Sequence, residues 1–231
     1  MTEPAAVSRA VAPEQAEPPV LPRPANAEEA LVRLREGNDR FASGTPLHPN
    51  RSVELRQHLA DGQAPYVAVL ACADSRVTPE LVFDCGIGEL FVCRVAGAVL
   101  DPSVVASLYF AVEVLGVEVM LVLGHTACGA VRAAVDAVTG HPVPPELRAL
   151  VESVRPAVED VAQRPGATRS AGGSAAELDR LTDRAVGANV ERVMGQLVED
   201  PLGIGAAVSA GRARLVGGVL DLRSGLVSWV R

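Results

Sequence analysis

Two short segments of the chain carry side chains that bind metal ions and move protons: Cys72-Ala-Asp74-Ser-Arg76 and His125-Thr-Ala-Cys128. Two thiolates and an imidazole are soft and borderline donors, and together they select zinc over magnesium or calcium. The His-x-x-Cys spacing lets one turn offer two donors to a single ion, and Cys72 supplies a third. Three protein ligands leave the fourth tetrahedral position free, the mark of a site that works on bound water rather than one that only braces a fold. Asp74 lies two residues from Cys72, so on an extended segment its side chain leaves on the same face and can take that fourth position itself. Arg76, two residues further on, can instead hold the carboxylate through paired hydrogen bonds. The alternatives define a switch: Asp74 on the metal closes the site, and Asp74 on Arg76 opens it to water.

These segments are far apart in sequence, so secondary structure must bring them together. Each follows an apolar run, at 66–73 and 117–124, and a third such run spans 89–95. Helical patterns cover 103–115 and 128–138. Strands and helices alternating at this spacing predict βαβ units and an α/β fold: a mainly parallel central β-sheet flanked by helices. In open sheets of this kind ligands bind beyond the carboxyl ends of the strands, which is where both segments fall. If the two strands are neighbours, Cys72 meets His125 and Cys128.

The remaining elements frame that core. Asn26 is a good N-cap, with Glu28 and Glu29 in the first turn complementing the helix dipole, and the N-terminal helical arm it opens stops at Gly44. Residues 1–25 are rich in proline and alanine without a periodic apolar face. They read as a disordered tail, leaving 26–231 as a single domain. Further on come a helix over 145–163, a Gly/Ser-rich loop over 166–174 and a helix from 175 to about 199. The runs 214–222 and 226–230 around Ser224-Gly225 have the pattern of a hairpin or edge strand.

Composition narrows the function classes. Hydrophobic residues are 48% and charged residues 21% of the 231, as in a folded domain. Aromatics are only 3%, so the core must be built from Val, Leu and Ala, which suits helices packed on a buried parallel sheet. A net charge of -7 without a Lys/Arg cluster argues against a nucleic-acid partner. No apolar stretch reaches the roughly 18–20 residues that span a bilayer, and no basic-then-apolar start marks a secretory signal. The expectation is a cytoplasmic protein with no membrane partner. Its four cysteines are then thiols or metal ligands rather than a disulfide framework.

The residues resemble the β-class carbonic anhydrases, bacterial type. The likeness runs through Glu36-Gly37-Asn38-Asp39-Arg40-Phe41, Cys72 to Pro79, and Gly88-Glu89-Leu90-Phe91-Val92. It continues through Arg94, Ala96-Gly97 and Gly124-His125-Thr126-Ala127-Cys128-Gly129. The resemblance implies zinc on Cys72, His125 and Cys128, with Asp74 as a switchable fourth ligand and Arg76 as its alternative partner. The implied reaction is reversible hydration of carbon dioxide to bicarbonate and a proton, by attack of zinc-bound hydroxide in an apolar pocket. It also implies a homodimer or homotetramer whose N-terminal helices wrap a neighbouring subunit. Departures from the family pattern are Val95 and Ala98, where many relatives carry asparagines, and Gly129-Ala130 in place of a glycine pair. Val69 stands where a subgroup that binds inhibitory bicarbonate has a tryptophan, so that regulation is not expected here.

Two rivals share the same residues. One is hydrolysis of carbonyl sulfide or carbon disulfide on the same zinc; the other is a non-catalytic protein in which Asp74 permanently completes a structural site. Cys85 and Cys93 fall in no C-x-x-C pair and read as buried strand or turn residues. His48, His58 and His141 read as surface histidines, Gly86-Ile-Gly88 as a turn, and Trp229 as a terminal anchor.

Overall fold

Asn26 caps a helix as its side chain predicts, its Oδ1 accepting the Glu29 N–H at 3.0 Å. Helix α1 (Ala27–Ser43) ends at Gly44, which adopts the left-handed conformation (φ 71°) and turns its N–H back on the last turn. The computed structural model describes residues 21–164, 173–199 and 203–230. Of the stretch read as a tail, residues 1–20 lie outside the described residues. Leu21 is held by Asn50, whose Oδ1 accepts its N–H at 3.0 Å and whose Nδ2 donates to its carbonyl at 3.2 Å. Most of the loop read over 166–174 also lies outside the described residues.

After α1 come α2 (Val53–His58), β1 (Val67–Ala71), the short α3 (Pro79–Val82) and β2 (Leu90–Arg94). Next are α4 (Pro102–Tyr109), β3 (Val119–His125), α5 (Gly129–Val138) and α6 (Arg148–Gln163). The chain closes with α7 (Ala175–Val198), α8 (Ile204–Ser209), β4 (Arg214–Leu220) and β5 (Val227–Val230). The single helix expected over 103–115 begins one residue earlier, on Pro102, because the Asp101 carboxylate caps Ser103 and Val104. It widens into a π-turn at Phe110–Val114, carrying Ala111 and Val112 into the core. The helices α2, α3 and α8 have four to six residues each, too short for a periodic apolar face to reveal them.

The sheet has the order β2-β1-β3-β4-β5; the first four strands are parallel and β5 is antiparallel to β4. The α/β architecture with a mainly parallel sheet flanked by helices is therefore the one the sequence predicts. Strands β1 and β3 are buried along their whole length, so they read as unbroken apolar runs. Alternate side chains feed two cores. Val67, Val69 and Leu121 meet Leu31, Leu34 and Phe83 on one face, while Leu70, Met120 and Val122 meet Leu108, Val190 and Val193 on the other. Among the described residues no helix is long and apolar enough to cross a membrane.

Helix α7 lies against β3 and β4 where glycines remove the side chains. A Cβ on Gly124 would sit 2.8 Å from methyls of both Val186 and Val190, and one on Gly217 would sit 2.6 Å from the Met194 sulfur. This close approach sets α7 directly behind the residue that follows Gly124, which is His125.

Candidate metal centre

The ladder between β1 and β3 pairs Ala71 with Leu123, so the chain leaves both strands at nearly the same level. Strand order reverses around this pair, since β2 lies on one side of β1 and β3 on the other. The loops beyond their carboxyl ends diverge and leave a crevice. Into it point Cys72, just past β1, His125, the last residue of β3, and Cys128, the N-cap of α5. Their donor atoms all lie within 4.8 Å of one another. The two sulfurs are 4.0 Å apart although the residues are separated by 56 positions in sequence. The neighbourhood of β1 and β3 that the sequence reading required is present.

Each donor is fixed by its own partners. His125 is 1% exposed, and its Nδ1 lies 2.9 Å from the Thr126 carbonyl oxygen. A carbonyl only accepts, so Nδ1 carries the proton and Nε2 presents its lone pair; Nε2 is buried with no hydrogen-bond partner among the described residues. Cys72 Sγ accepts the Gly97 N–H at 3.3 Å. The loop between the second and third donors is pinned at both inner residues. Thr126 N–H donates to the Leu220 carbonyl and Thr126 Oγ1 accepts the Leu222 N–H. Ala127 is held in the left-handed region (φ 54°) by the Asp183 carboxylate, which accepts its N–H at 2.8 Å.

The electrostatics follow from this crowding. A hydrogen bond from Cys128, working against burial, pulls the Cys72 thiol well below its usual value, with help from His125 and the N–H groups of Asp74 and Gly97. The hydrogen bond to Cys72 and then burial push Cys128 up, so the pair shares one proton. Burial opposes a charge on His125, but the Cys72 sulfur outweighs it and raises the imidazole. A cluster that retains a proton between two sulfurs is one a cation can enter by displacing it.

Asp74 accepts three hydrogen bonds from Arg76: the backbone N–H and Nε to Oδ1, both at 2.9 Å, and a terminal nitrogen to Oδ2 at 2.7 Å. The Arg76 side chain holds the carboxylate well below the usual range despite partial burial. Asp74 Oδ2 is also only 3.9 Å from His125 Nε2. The sequence reading placed Asp74 and Arg76 together by the two-residue repeat of an extended segment. In the structure the strand ends at Ala71, and a tight turn closed by the Arg76 N–H on the Asp74 side chain makes the pairing.

Other groups serve the site without having stood out in the sequence. Arg94, named in the sequence only as part of the resemblance and with no role, clamps the loop of Cys72 by donating to the carbonyls of Cys72, at 3.0 Å, and Asp74. Its place at the end of β2, in register with Ala71, is a tertiary fact. Asp183 comes from α7 and shows no local pattern. Beyond the Asp74–Arg76 pair lies a cleft of about 550 Å³ whose lining includes Arg76, Arg132, Asp183, Asp221 and Arg223. Behind the donors is a void of about 10 Å³ walled by Val131, Val186 and Val190. Of the residues set aside, Cys85 is buried beside the Tyr66 hydroxyl and Trp229 packs near Phe83.

Comparison with known proteins bears on this geometry. A family model described as carbonic anhydrase matches residues 67–227. Carbonic anhydrase 2 of Mycobacterium tuberculosis is 47% identical over 134 residues, which are 58% of this chain and 65% of that protein. A carbonic anhydrase of Mycolicibacterium smegmatis is 37% identical over 203 residues, 87% of this chain and 92% of that protein. Among solved structures, a Coccomyxa β-carbonic anhydrase in complex with acetazolamide superposes with a TM-score of 0.63 at 26% identity, covering 89% of this chain and 86% of that one. A Sordaria macrospora β-carbonic anhydrase, described as tetrameric, gives a TM-score of 0.65 at 22% identity over 76% and 85%.

Proposed function

The chain belongs to the β-class carbonic anhydrase family, and on that premise we propose that it catalyses the reversible, zinc-dependent hydration of carbon dioxide to bicarbonate and a proton. The observation that carries the proposal is the convergence of Cys72, His125 and Cys128, with an otherwise unpartnered imidazole nitrogen in their midst. Two sulfurs and one nitrogen within 4.8 Å of one another fit zinc, whose bonds to such donors run about 2.0–2.3 Å. Cys72, His125 and Cys128 are the residues that would hold it. The ion, when bound, supplies Lewis acidity that brings the pKa of a water from about 15.7 toward 7.

The rest of the chemistry falls to the chain's own groups. Thr126 fixes the tautomer of His125, so that Nε2 faces the metal position. Asp74 accepts hydrogen bonds from Arg76, which hold its carboxylate in place beside the three donors and would leave a bound zinc open to water. From that position Asp74 can orient the water or exchange its proton. Without Arg76 the same carboxylate, 3.9 Å from His125 Nε2, is close enough to compete for the metal and shut the site. Carbon dioxide is uncharged and needs no ionic clamp, whereas the arginines of the outer cleft suit the charged product, bicarbonate. The assembly is read as a homodimer or homotetramer, supported by the tetrameric Sordaria relative of the same fold.

The test is stopped-flow carbon dioxide hydration at pH 7 and 8.5 on protein of verified zinc content, with light scattering for its mass. The proposal requires turnover that rises with pH. A fully zinc-loaded protein inactive at both values would refute it; carbonyl sulfide and carbon disulfide would then be the substrates to try.

A further inference from the structure

Among the described residues, two buried side-chain polar atoms have no hydrogen-bond partner: His125 Nε2 and Asn189 Oδ1. Both residues line the same void of about 10 Å³, together with Cys72 and Cys128. The metal reading above accounts for the first. Asn189, in the middle of α7 and 4% exposed, is not accounted for by that chemistry or by packing. Val186 and Val190 surround the void on the same helix, and a leucine would fill a similar volume without burying a polar atom.

The amide's one bond explains its presence. Asn189 Nδ2 donates to the Gly97 carbonyl at 3.0 Å. Because that carbonyl can only accept, the NH₂ must face it, which fixes the amide's orientation and leaves Oδ1 on the other side. Gly97 is in the left-handed region (φ 72°), and its own N–H donates to Cys72 Sγ at 3.3 Å. The carbonyl and the N–H belong to the two peptide planes that meet at the Gly97 Cα, and in a glycine, free to turn at φ and ψ, a bond that anchors the carbonyl also restrains the direction of the N–H. We infer that Asn189 is a positioning residue for the metal centre: through the Gly97 carbonyl it aims the Gly97 N–H at the Cys72 sulfur, setting how much charge that thiolate delivers to the metal. The inference rests on the zinc reading of Cys72, His125 and Cys128. It reaches the metal from α7, an element that contributes no ligand.

The test compares the wild-type chain with Asn189→Leu and Asn189→Asp. Zinc affinity is measured by competition with a chromophoric chelator, and the sulfur-to-metal charge-transfer band is recorded after cobalt substitution. Wild type comes first, since failure to bind zinc there sinks the site reading itself. With wild type bound, both variants should fold and hold zinc about 10–100-fold more weakly, because a Cys72 sulfur no longer held by the Gly97 N–H is not kept in place for the ion, a loss that outweighs its greater donor strength. Their cobalt band should move to longer wavelength, because a sulfur stripped of its N–H donor gives up charge more readily. Asn189→Asp separates positioning from simple electrostatics: its added negative charge would tighten zinc if charge alone mattered, whereas loss of the donor loosens it. Unchanged affinity and band position in either folded variant would overturn the inference. So would failure of both to fold, which would assign Asn189 to the core instead.

Discussion

Replacing Gly124 by alanine tests, with one methyl group, whether α7 is seated against β3 as described. The new Cβ would lie 2.8 Å from Val186 Cγ1 and 2.8 Å from Val190 Cγ2. Carbon atoms prefer a separation of about 3.5–4.0 Å, so the overlap is near 1 Å on two sides at once. Valine is stiff at χ1, and both methyls belong to one packed helix, so neither can simply rotate away. Overpacking of this kind costs about 1–3 kcal/mol. For a chain of this size each kcal/mol lowers the melting temperature by about 2–4 °C, giving an expected fall of about 2–12 °C. Gly187 is the internal control. It lies on the same helix, and a Cβ there meets nothing within 4 Å. Gly187→Ala should therefore add the roughly 1 kcal/mol by which alanine exceeds glycine inside a helix, raising the melting temperature. Both variants are melted at one protein and one zinc concentration, because bound metal and assembly shift the midpoint. A Gly124→Ala protein as stable as wild type would refute the close seating of α7.

Further outcomes follow from other groups. Asp74→Ala should lower kcat by about 10²-fold and alter the rise of turnover with pH; an unchanged rate and pH profile would dismiss the switch. Asp84, its side chain fully buried, accepts Arg40 Nε at 2.7 Å and the N–H groups of Leu47 and His48, which together outweigh burial and lower its pKa from 3.8. Its stabilisation is complete above pH 3.8 and is lost as pH falls through the lower folded value. Asp84→Asn should cost about 3 kcal/mol at neutral pH, and its deficit in urea titrations should shrink in strong acid; a deficit independent of pH would contradict the ion pair. Burial drives the Cys85 thiol up to about 12. At pH 8 the thiol therefore keeps its proton, and peptide mapping after brief alkylation of the native protein should find Cys85 unmodified. Labelling at the rate of a free thiol would show that the site is open.

The sequence by itself determined the kinds of atoms available and the elements that carry them. Cys72, His125 and Cys128 stood out as candidate donors because thiolates and imidazole are rare, chemically distinct and placed just past apolar runs. The strands at 66–73 and 117–124 were legible because full burial on both faces leaves no polar residue to interrupt them. Asn26 and Gly44 marked a helix because capping is local chemistry, settled within one turn. What the tertiary structure decided was everything that depends on which strand lies beside which. The β2-β1-β3 order sets Cys72 beside His125, lets Arg94 reach across from β2, and brings α7 over Gly124 so that Asp183 and Asn189 touch loops far from them in sequence. A polar residue on a helix looks the same in sequence whether it faces water or a carbonyl 92 residues away. Only burial separates the two, and burial is a property of the packed chain.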